Sequence, residues 1–184
     1  MKHRSRNFHS RAIVLKRSNI GETDRIVTLL TQEYGRLVAI AKGVRKLSST
    51  KRASLEPGNY IQAYFIKTKS LPLLIQTKLL DDSNQIRNNL AEIRKLTQFL
   101  EILEKLFVEE EIEAKLYQEI LNLRKNIVSQ KITNRQIKIS LENLIGRLGY
   151  PHLKDTEFNC VLDYVSALAD KPMRSFEYLT LPDQ

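Results

Sequence analysis

A chain of 184 residues with 42% apolar content can bury roughly two thirds of its unfolded surface, in one or two small domains. That excludes a wholly disordered chain. No apolar run approaches the ~18 residues that a membrane span needs. A single cysteine, Cys160, rules out an internal disulfide or a four-cysteine metal cluster within these residues and fits a reducing compartment. The net charge of +9 is unevenly spread. Residues 1–80 carry 16 Lys+Arg against 4 Asp+Glu, while residues 81–184 carry 14 against 17. The first part is therefore suited to meet a polyanion and the second is not.

The stretch 1–11 holds Lys2, Arg4, Arg6 and Arg11 and has no apolar core of a secretory signal. β-Branched runs at 11–17, 24–31 and 36–42 predict three strands. The turn Gln32–Gly35 makes a hairpin of the second and third. Residues 60–67 alternate, with Tyr60, Gln62, Tyr64 and Ile66 on one face and Ile61, Ala63 and Phe65 on the other. A fifth strand is predicted at 71–79. Five short strands in about 80 residues predict a small barrel, since closure removes exposed edges.

Beyond Leu80 the period becomes helical. Ile86, Leu90, Ile93, Leu100, Leu103 and Phe107 mark a first helix, with Asp81 and Asp82 read as its caps. The acidic stretch Glu109–Glu113 follows. A second helix is predicted at 114–128. A third opens on the capping box Thr133–Gln136 and stops at Gly149 and Pro151. A fourth is predicted from about Asp155 to Ala169, holding Cys160 as a buried residue, and a short final helix near Pro172. The fold class is α+β in two domains: residues 1–80 a five-stranded barrel, residues 81–184 all-α.

No phosphate loop, dinucleotide fingerprint, metalloprotease helix or nucleophile elbow is present, so an enzyme is not expected. His3, His9 and His152 are scattered, and Glu22 with Asp24 lacks further ligands, so neither a metal nor another cofactor is expected. The segment Lys42–Arg52 is the main candidate site. Lys42, Arg45, Lys46, Lys51 and Arg52 alternate with Gly43, Ser48, Ser49 and Thr50. Small residues let a loop approach a phosphate backbone, and cations release its counterions. Arg17, Arg25 and Arg36 extend this patch if the barrel places them on one side. With no Trp, and with Tyr34, Tyr60 or Tyr64 as the only stacking candidates, binding is expected to rest on phosphate charge.

The stretch AIVLKRSNIGETDRIVTLLTQEYGRLVAIAKGVRK (12–46), Leu55–Glu56–Pro57, LIGRLGYPHL (144–153) and RSFEYL (174–179) resemble the RecO family of bacterial recombination mediators. The resemblance implies an oligonucleotide-binding (OB) barrel followed by a helical domain. It implies binding of single- and double-stranded DNA, annealing of complementary strands, and contacts with RecR and the single-strand-binding protein (SSB) tail. These help load RecA onto SSB-coated DNA, in a bacterial cytoplasm at the nucleoid. Lys42, Arg45 and Lys46 fall in the family's A-K-G segment, with Arg25 and Arg36 flanking its hairpin. Many relatives carry a four-cysteine zinc module after the segment matched by Gly149–Tyr150–Pro151; here only Cys160 follows, as in a compact version without zinc. Two other readings fit the charge pattern: an adaptor that recognises an acidic protein tail, and an OB-type RNA binder.

Overall fold

The computed structural model describes residues 6–46, 49–170 and 173. Lys2, His3, Arg4, Ser48, the motif at 174–179 and the final helix expected near Pro172 lie outside them. The chain divides into two compact units. One runs to Ser83 and takes in Phe107–Ile112; the other comprises Asn84–Leu106 and the chain from Glu113.

The first unit holds β1 (Asn7–Ile20), β2 (Asp24–Thr31), β3 (Gly35–Ala41), β4 (Tyr60–Ile66) and β5 (Leu73–Asp81). They close into a barrel in the order β1-β2-β3-β5-β4, the topology of an OB domain. β1 is longer than its apolar run because it serves two ladders. Asn7–Ile13 pair with β4 and Ala12–Ile20 with β2. A parallel pairing of Ile40 with Leu73 closes the barrel, and the Ile40 amide donates to the Pro72 carbonyl at 2.9 Å.

The core follows from the alternation. Ala12, Val14, Val27, Leu29, Ala39, Ala41, Val44, Leu55, Ile61, Ala63, Phe65 and Leu74 are all fully buried. The alanines leave room for the Phe65 ring inside a narrow barrel. Each fully buried Val, Leu, Ile or Phe contributes roughly 1.5–3 kcal/mol relative to exposure. The hairpin turn ends at Gly35, whose φ of +56° suits glycine. A side chain there would also collide: a Cβ would stand 2.3 Å from the carbonyl oxygens of both Val108 and Glu110. That close approach lets the Arg36 amide donate to the Val108 carbonyl, and the Ile112 amide to the Gln32 carbonyl, each at 2.8 Å. The segment Phe107–Ile112, expected to belong with the helices, thus packs with the barrel unit.

The second unit contains α1 (Leu90–Leu106), α2 (Ala114–Val128), α3 (Asn134–Arg147) and α4 (Val161–Leu168). The Thr133–Gln136 capping box forms, and Gly149 takes a φ of +87° beyond the end of α3. Several expectations are corrected, among them Ile86, which lies in a 3-10 turn, Asn84–Ile86, ahead of α1. Asp81 ends β5, and α1 is capped by Asn89, whose side-chain oxygen accepts from the amides of Ala91 (3.1 Å) and Glu92 (3.3 Å). The fourth helix starts at Val161; residues before it form a 3-10 turn, Leu153–Asp155. Cys160 is the half-buried cap of α4, its sulfur accepting from the Asp163 amide at 3.5 Å. Phe158, expected inside that helix, precedes it and stacks on Tyr164 at 5.5 Å. No helix among the described residues is long and apolar enough to cross a membrane.

Candidate nucleic-acid interface

Two loops leave the same end of the barrel: the turn joining β1 to β2, and the long segment joining β3 to β4. Asp24 fastens them together. Its Oδ1 accepts from the Gly43 amide at 2.8 Å and from the Thr23 hydroxyl at 2.9 Å. These bonds, aided by the charges of Lys42 and Lys46, hold its carboxyl below the usual carboxylate range. The Arg45 amide donates to the Thr23 carbonyl at 2.9 Å, and its guanidinium to the Gly21 carbonyl at 3.0 Å. Lys51 Nζ donates to the Lys42 carbonyl at 3.2 Å and to the Leu74 carbonyl at 3.5 Å. Gly43, Arg45 and Lys51 of the basic segment are therefore tied to neighbouring groups rather than left free.

The two strand arginines reach the same place through a β-bulge. The register of β1 against β2 shifts between Val14 and Lys16. Past the bulge, Arg17 stands opposite Val27, and Arg25 stands opposite both Asn19 and Ala41. Val27 and Ala41 are core residues, so Arg17 and Arg25 continue the inward face at the barrel's end. Arg25 Nε donates to Asn19 Oδ1 at 3.1 Å. Its pKa is lowered first by burial, then by Arg17, Arg52 and Arg45, with Glu56 opposing. That pattern places the guanidinium groups of Arg17, Arg52 and Arg45, and the Glu56 carboxylate, near Arg25. Glu56 forms an ion pair with Arg17.

The structure thus brings together Arg17, Arg25, Lys42, Arg45, Lys46, Lys51 and Arg52. Lys42, Arg45, Lys46 and Arg52 are exposed, and Arg17, Arg25 and Lys51 half-buried. Arg36 does not extend the patch. It pairs with Leu30 at the opposite end of the hairpin, about 16 Å along the strand from Arg25, and on the outward face. Glu56 and Asn19 were missed as members of the cluster. An acid inside an otherwise basic loop was the available signal for Glu56; Asn19 offered none. The ring candidates lie elsewhere in the barrel. Tyr34 packs edge-on against Phe8 at 5.0 Å, burial raises the hydroxyl pKa of half-buried Tyr60, and half-exposed Tyr64 stands opposite His9 on the outward side of β4.

Chemically the cluster offers guanidinium, ammonium and fixed loop backbone to an anionic polymer, with two embedded carboxylates, Asp24 and Glu56. Among the described residues no group of three or more His, Cys, Asp or Glu is placed to hold a metal ion.

Residues 3–82 match the family described as Recombination protein O N terminal. The chain is 30% identical over 155 residues to the DNA repair protein RecO of Syntrophomonas wolfei, covering 84% of this chain and 61% of that one. It is 30% identical over 155 residues to the DNA repair protein RecO of Gloeothece citriformis, covering 84% and 50%. It is 28% identical over 174 residues to the DNA repair protein RecO of Clostridium kluyveri, covering 95% and 65%. The chain therefore spans between 50% and 65% of the length of these curated relatives. Residues 3–82, an OB-type barrel, therefore belong to the RecO N-terminal domain family, and the chain as a whole, with its following helical unit, is similar to these RecO proteins.

Proposed function

We propose that the chain is a non-enzymatic recombination mediator of bacterial DNA repair. It binds single- and double-stranded DNA, anneals complementary strands, and with RecR helps load RecA onto SSB-coated DNA. The SSB tail is its further protein partner, and it works in the cytoplasm at the nucleoid. The observation that carries the reading is the convergence of seven cations at one end of an OB barrel, two on strand ends and five on a loop segment fastened by Asp24, Arg45 and Lys51. Annealing needs no covalent chemistry. A basic surface screens the repulsion between two strands, and base pairing supplies the driving energy.

The test is annealing of complementary oligonucleotides precoated with the cognate SSB. The chain accelerates it, and the triple variant Lys42→Glu/Arg45→Glu/Lys46→Glu does not, while retaining the circular dichroism of the parent. Negligible affinity for plain oligonucleotide at moderate salt would favour the acidic-tail adaptor. Preference for RNA over single-stranded DNA of equal length would favour an RNA binder.

A further inference from the structure

The outward face of β1, β4 and β5 differs in kind from the cationic end. Strand register sets His9, Tyr64 and Gln76 in one row, and Arg11, Gln62 and Lys78 in the next. Their chain neighbours Ser10, Ala12, Ala63 and Phe65 are buried, so these side chains point away from the core. His9, Arg11, Gln76 and Lys78 are exposed, and Gln62 and Tyr64 half-exposed. The His9 and Tyr64 rings lie 5.8 Å apart, tilted by 48°, and the Gln62 amide sits 3.4 Å from His9 Nδ1. Neither row itself contains a carboxylate; beside them Arg11 also bonds the Tyr60 hydroxyl, which feels the charge of Glu33. OB barrels usually take oligonucleotides on the face of strands 2 and 3. Here the outward residues of those strands are Ile26, Thr28, Leu30, Arg36, Val38 and Ile40, without a ring, and Thr28 and Leu30 are buried.

We propose that the outward face of β1, β4 and β5 is a second seat, specific for single-stranded DNA. Bases stack on Tyr64 and His9, the amides of Gln62 and Gln76 meet base edges, and Arg11 and Lys78 hold phosphates. Two cations, two rings and two amides without an acid complement a strand whose bases are unstacked. A duplex keeps its bases stacked internally and gains nothing from the rings. The inference rests on the DNA-binding reading above and adds a base-dependent contact that the cationic end does not supply. One molecule could then hold two strands at once.

The experiment compares the full chain with its His9→Ala/Tyr64→Ala variant, titrated against oligothymidine and against a duplex of equal length. The variant loses roughly tenfold or more in single-strand affinity, the scale of one or two stacked bases. Its duplex affinity and salt slope stay those of the parent, and Tyr64→Phe retains single-strand binding. Should the double variant fail to fold, Gln76→Glu/Lys78→Glu puts carboxylates into both rows on an exposed strand and produces the same selective loss. Unchanged single-strand affinity, or equal losses for single strand and duplex, would overturn the second seat. Duplex binding with steep salt dependence in the parent leaves the cationic end standing in that case. Failure of the parent to bind either form sinks both readings.

Discussion

Glu56 has opposite effects on stability and binding, which makes it an informative position. Its carboxylate pairs with Arg17, with side chains about a third exposed (29% and 33%), and it opposes the mutual repulsion of Arg17, Arg25, Arg45 and Arg52. Glu56→Gln keeps the length and a hydrogen-bond acceptor but removes the charge. A partly exposed pair contributes at most about 1 kcal/mol, so the barrel unit should lose about that much. For a unit of this size the melting temperature then falls by about 4–8 °C. Binding should move the other way. One more uncompensated cation faces the phosphates, adding about 0.9 to the magnitude of the duplex salt slope and tightening affinity roughly eightfold at 0.1 M salt relative to 1 M. Fluorescence anisotropy across a salt series, with thermal melts of the same preparations, reads both. If the variant binds duplex no better than the parent at low salt, the arginines around Glu56 do not contact DNA and the reasoning fails.

Three further outcomes test the architecture. Gly35→Ala should cost about 1–2 kcal/mol for a side chain at positive φ, and more if the carbonyls of Val108 and Glu110 must withdraw. Hydrogen exchange of the Arg36 and Ile112 amides should speed up, and unchanged protection would show that the strap is not held there. Asp24→Asn removes a carboxylate whose folded pKa lies below its unfolded value, so its stabilisation is complete above about pH 4 and fades as pH falls further. Urea midpoints of parent and variant should differ at pH 7, and the difference should shrink as pH falls below about 4; a constant difference would refute the assignment. Asn89→Ala should destabilise by about 1 kcal/mol through loss of the α1 cap. Circular dichroism melts of parent and variant measure it, and equal melting temperatures would refute the cap.

Most of the fold was legible because its elements announce themselves locally. The alternation of Ile61, Ala63 and Phe65, the capping box at Thr133 and the glycine stop at Gly149 each carry their own physical signal. What was hidden depends on pairing. The ends of β1 are polar and become strand only because two neighbours bond to them. A one-residue bulge at Leu15 decides which way Arg17 faces, and no periodicity predicts it. Arg36 looks equivalent to Arg25 in a list of basic residues, yet the hairpin ladder separates them by its full length. The helix cap fell to Asn89 rather than Asp82 because β5 runs on through Asp81.

The central claim is that phosphates are held at the barrel's end by cations gathered on the two loops. Its most direct measurement is the slope of log affinity against log salt for duplex DNA, in the parent and in Lys42→Glu/Arg45→Glu/Lys46→Glu. Four exposed cations at about 0.9 each predict a parent slope of about −3.6, and the variant should lose about 2.7 of it together with most of its affinity at 0.1 M salt. A folded variant with the parent's slope and affinity would contradict the account.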